Sequence, residues 1–91
     1  MKRPKRKIVW LLQTDDDDGA GSSVYASEIG AVRAAVKFLH APHVARHFTR
    51  EKRAEVERLF RARSVAEALA EWNDQTAGVM FVSIYSQPVQ D

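Results

Sequence analysis

Ninety-one residues, 45% apolar and 29% charged, give the composition of one ordinary globular domain spanning 1–91, with room for a single modest core. There is no cysteine, which excludes disulfides, thiolate chemistry and the common structural zinc sites. The net charge is only +2, yet it is segregated: residues 1–7 carry +5, Asp15 to Asp18 carry −4, residues 42–63 carry +4 and Ser64 onward −4, a pattern that can steer a charged partner or pair with a copy of itself.

The chain opens with residues 1–7, expected to be a flexible basic arm, and then Ile8-Val9-Trp10-Leu11-Leu12 predicts a first strand. Thr14 to Gly21 reads as a turn, because clustered Asp and Gly favour φ > 0 and side-chain bonding to the backbone. A short second strand is expected over Ser22 to Ala26 as a hairpin partner. Ser27 is placed to N-cap a helix from Glu28 to Ala41, in which Ile29, Val32, Val36 and Leu39 recur at helical spacing. Pro42 ends it, since the residue before proline is pushed out of the helical region.

Residues 42–48 read as a connector. Thr49 then caps a helix with a buried stripe of Val56, Leu59 and Phe60, and Ser64-Val65-Ala66-Glu67 fits a capping box. That box predicts a further helix from Val65 to about Asp74 that buries Val65, Leu69 and Trp72; a single bent helix over 50–74 also fits. Asn73, Asp74 and Gly78 break the chain before a last strand, Val79 to Tyr85. The order β-β-α-α(α)-β gives an α+β, two-layer domain: a sheet of about three strands with two or three helices on one face.

Both terminal strands are apolar on both faces, so a short chain is expected to leave one face for a partner. Pairing them side by side allows Trp10, Phe81 and Tyr85 to share one face, with Val9, Leu11, Met80, Val82 and Ile84 on the other. The aliphatic side is assigned to the helices. Trp10, Phe81 and Tyr85 then become candidate partner anchors, together with Asp15, Asp16, Asp17 and Asp18 as an acidic docking element.

Motifs for chemistry are weak. The aspartate row suggests calcium, but an EF-hand alignment on Gly19 puts Thr14 and Tyr25 at the two anchoring ligand positions. His40, His43 and His47 would line up on one helix, but Pro42 interrupts it. No serine sits in a nucleophile elbow, and Gly19 and Gly21 do not form a phosphate loop. No catalytic residue, metal or cofactor is therefore assigned. Nucleic-acid binding competes more strongly, through Lys2, Arg3, Lys5, Arg6, Lys7, Arg50 and Arg53 with bases stacked on the aromatic face.

The run Lys7 to Leu39, with Val24-Tyr25-Ala26-Ser27 and the alanine-rich Ala31 to Ala35, resembles a class of small uncharacterised β-β-α-β domains of prokaryotes and their phages, and Phe81-Val82-Ser83-Ile84-Tyr85 is similar to their closing strand. The second helical region, Thr49 to Asp74, departs from that pattern. The resemblance implies no activity and no catalytic residues.

The leading expectation is a non-enzymatic protein-protein interaction module, a small phage or mobile-element inhibitor that binds and blocks a host complex of the defence or CRISPR type. A nucleic-acid-binding regulator and a homodimeric structural domain are the alternatives. The partner is expected to be a larger protein or nucleoprotein complex, with no membrane. The location is expected to be cytoplasmic, in the host if the chain is phage-encoded.

Overall fold

The computed structural model describes residues 7–16, 19–77 and 79–89. Three antiparallel strands, β1 (Lys7–Asp16), β2 (Gly19–Tyr25) and β3 (Phe81–Val89), form one open sheet in the order β2-β1-β3. The connection from β2 to β3 carries α1 (Glu28–Leu39), α2 (Pro42–Ala45), α3 (Arg50–Arg61) and α4 (Val65–Gln75). The chain thus has the α+β architecture read from its sequence.

The strands run longer than their propensities suggest. Gln13 to Asp16 extend β1 rather than turning, because each finds a ladder partner in β2, ending with Asp16 opposite Gly19; satisfied backbone groups outweigh the turn preference of Asp and Gly. At the other end Val79 does not start β3. Its N–H bonds Thr76 O at 3.0 Å in the turn that closes α4, so the strand begins at Phe81 and runs on through Pro88. The predicted connector over 42–48 contains the short helix α2, with Pro42 at its first position.

Ser27 and Thr49 act as the predicted N-caps, each accepting a hydrogen bond at 3.1 Å, from Gly30 N and Lys52 N respectively. The buried stripe of α1 differs from the expected one. Ala31, Ala35 and Leu39 are fully buried, while Ile29 is exposed and Val32 and Val36 are half-buried. Small alanines let this helix lie close to its neighbours, which rotates the branched residues toward the rim.

The core joins Leu12, Met80 and Val82 of the sheet side to Leu39, Val44, Phe48, Val56, Phe60 and Trp72 of the helices. Trp72 is at its centre, stacked on Phe38 with centroids 6.0 Å apart and edge-on to Phe48 and Phe60 at 5.5 and 6.3 Å. Its indole Nε1 is buried with no hydrogen-bond partner among the described residues.

Asn73 fastens α4 to β3. Its Nδ2 donates to Val82 O at 3.1 Å and its Oδ1 accepts from Val82 N at 3.0 Å, so one side-chain amide satisfies both backbone groups of an edge residue. Because backbone groups alternate sides along a strand, those of Ile84, Ser86 and Pro88 face the same outer edge, and Pro88 has no N–H to offer. The β3 edge is therefore occupied at one end and blunted at the other. Asn73→Ala is expected to cost about 1–3 kcal/mol in urea denaturation, by stranding two backbone groups, with loss of exchange protection at the Val82 amide. Asn73→Asp, which keeps the acceptor, should fall between.

Helices α3 and α4 are separate, not one bent helix. Ser64 N bonds Leu59 O at 2.9 Å and Arg63 N bonds Phe60 O at 3.1 Å, a Schellman ending with Arg63 left-handed at φ 63°. Glycine usually fills that position, and a side chain there costs about 1 kcal/mol. The same ending overrides the predicted capping box. Ser64 has ψ 62°, unlike the extended ψ of Ser27 and Thr49, and its side chain makes no capping bond.

His40, at the end of α1, donates from Nε2 to Glu57 Oε1 on α3, and Arg61 Nε lies 3.3 Å from Oε2. The His40 hydrogen bond is the main reason that the Glu57 carboxyl titrates below its usual 4.5; desolvation opposes it and the Arg61 charge adds to it. A lowered folded value contributes stability that is present above pH 4.5 and lost as pH falls through the folded value. His40→Ala should therefore destabilise the fold at pH 7 by no more than about 1 kcal/mol for so exposed a pair, seen as a drop in melting temperature that shrinks at pH 3.

Candidate functional site

Register decides which side chains face the helices. Leu12 and Val82 are 6% and 1% exposed, so the even-numbered positions of β1 and β3 face the helix side, with Ile8, Ser86 and Pro88 left uncovered at its end. Leu12 pairs with Ile84 and Thr14 with Val82, while Trp10 pairs with Ser86 and Tyr25. Trp10 therefore shares the helix-side face, half-buried, and does not join Phe81 and Tyr85 as the sequence reading supposed. Both phases of Ile8 to Leu12 are apolar, so periodicity left the choice open and strand pairing settled it.

The opposite face is open. It is built in cross-strand rows: Val24-Leu11-Tyr85, then Ser22-Gln13-Ser83, then Ala20-Asp15-Phe81. Val9 extends the apolar end beside Gln87. Val24, Phe81 and Tyr85 are 62%, 55% and 39% exposed, while Leu11 and Val9 are half-buried between their neighbours. Large apolar side chains on a hydrogen-bonded sheet are held in place without loop ordering, which suits them as anchors for a partner.

Val9 and Leu11, assigned from the sequence to the helix side, belong to this open face, whereas Met80, Val82 and Ile84 pack toward the helices as expected. Val24 was not singled out by the sequence reading. The signal was there, in the alternation of an outward Val24 with Tyr25, which packs against the core.

The acidic element is divided. Asp15 is exposed on the open face, directly opposite Phe81, and Asp16 pairs with Gly19. Asp17 and Asp18 lie outside the described residues, as do Lys2, Arg3, Lys5 and Arg6 of the arm. Lys7 belongs to β1, opposite Val89. Arg50 and Arg53 start α3, which packs on α1 and α4.

The three histidines do not converge. His40 is engaged with Glu57, and the His43 ring lies edge-on to Phe38 at 5.6 Å. Among the described residues no cluster of His, Asp and Glu has the form of a metal site, and no helix is long and apolar enough to cross a membrane. Comparisons with protein-family models, curated proteins and solved structures return no match.

Proposed function

We propose that this protein is a non-enzymatic protein-protein interaction module that docks through its open sheet face on a larger complex and blocks it. The observation that carries this reading is the Val24-Leu11-Tyr85 row with exposed Phe81 beyond it, a rigid apolar surface on the side of the sheet away from the helices. Apolar residues would supply the desolvated anchors. Asp15, beside Phe81 at the start of the aspartate run, would steer the face toward a basic groove, such as one that holds nucleic acid in a host defence complex.

The same placement weighs against the nucleic-acid alternative. A carboxylate opposite Phe81 repels a phosphate backbone near the base-stacking ring, and Arg50 and Arg53 belong to the helix layer rather than to this face.

The test is site-specific photocrosslinking in cells of the source organism, with a benzophenone amino acid at Tyr85 or, as control, at Glu51 on α3. A discrete heterologous protein adduct is expected from position 85 and not from position 51. Equal adducts from the two positions, or none from 85, would sink the reading. An adduct to the chain itself would identify a second copy as the partner.

A further inference from the structure

The helix layer contains a second feature that the open face does not involve. Between α1 and the corner joining α3 to α4 runs a groove of about 450 Å³, within the size range of small-molecule sites. Its apolar wall is Ile29, Val32 and Val36 from α1, facing Val65, with Phe60 closing the floor at 1% exposure. This wall exists because α1 buries its alanines and turns its branched residues outward.

The rim is basic. Arg33, Arg61 and Arg63 border the groove with a single carboxylate, Glu28. Arg61 is engaged by Glu57, whereas among the described residues Arg33 and Arg63 have no carboxylate within ion-pair distance. Arg63 is also the residue held left-handed at φ 63°, where glycine would relieve strain.

We propose that this groove binds one long-chain carboxylate, its hydrocarbon chain on Ile29, Val32, Val36 and Val65 and its headgroup held by Arg33 and Arg63. An apolar wall calls for a hydrocarbon chain, and paired guanidinium groups match a carboxylate through parallel N–H bonds better than they match a neutral or cationic head. The site is independent of the open sheet face, so either reading can fail alone.

Arg63→Gly separates binding from folding, because it removes the strain and the cation together. Sodium dodecanoate, kept below its micelle concentration, would be titrated into the full chain with amide shifts followed by NMR, beside dodecyltrimethylammonium as the same chain with opposite charge. Expected are saturable one-to-one binding with shifts over Ile29–Val36 and Phe60–Val65, at least tenfold weaker binding of the ammonium analogue, and a Gly variant that melts higher yet binds dodecanoate at least tenfold more weakly. Arg33→Gln should weaken dodecanoate similarly.

Equal affinity for the two headgroups, unchanged binding by Arg63→Gly, or shifts confined to Val9, Leu11, Phe81 and Tyr85 would each overturn the proposal. So would tighter binding at the same residues by a short acidic amphipathic peptide, or groove shifts that follow protein concentration without dodecanoate, which would make the occupant a protein segment or a second copy.

Discussion

Trp72→Ala should cost the chain a large part of its stability. The side chain is fully buried and in ring contact with Phe38, Phe48 and Phe60, and truncating such a residue costs about 3–5 kcal/mol. A domain of this size holds on the order of 5–14 kcal/mol in total, so the loss takes about a fifth of the margin at best and all of it at worst. Thermal melting by circular dichroism should fall by roughly 12–40 °C. Trp72→Phe is expected to cost much less than half as much, since it keeps a ring in the cluster and removes the buried indole N–H, which has no partner among the described residues. If the two variants melted together, packing around the ring would not be what holds the layers.

The second large effect concerns binding without folding. Replacing Phe81 and Tyr85 together by serine should weaken capture of the crosslinked partner by about 700-fold, since central aromatic anchors each contribute about 2 kcal/mol. Melting temperature should stay nearly constant, because both side chains are exposed on the side of the sheet away from the helices. Trp10→Ser is the informative contrast. Lying on the helix-side face opposite Ser86 and Tyr25, it should lower stability more than partner affinity. Surface plasmon resonance with the identified partner, paired with melting curves, separates the two outcomes.

How far the sequence could be read depended on which signals are local. The helix starts at Ser27 and Thr49 were legible because a cap is a contact three residues long. Phe81 and Tyr85 were placed on the open face because Met80, Val82 and Ile84 form the better packing partners for helices. Trp10 was misplaced because the face of β1 is fixed by pairing with residues more than 70 positions away, which alternation in Ile8 to Leu12 cannot report. The Ser64 box failed for a related reason. Its motif was present, but the ending of α3 had already taken the backbone of Ser64. The basic-rimmed groove depended on which face α1 buries, and there two alanines outcompeted larger residues for the core.

The two margins of the sheet are unequal. Asn73 occupies the backbone of Val82 and Pro88 lacks a donor, whereas β2, among the described residues, has no proline and no side chain bonded to its backbone. Growth by strand addition thus has its freer port at β2, while β3 offers only Ile84 and Ser86 between its two interruptions. Two chains joined β2 to β2 would make a six-stranded sheet bounded on both sides by β3, and a third chain would meet only that interrupted edge. A protein with apolar residues on an uncovered sheet is ordinarily at risk of fibre formation; here the unequal edges favour a finite pair over an open stack.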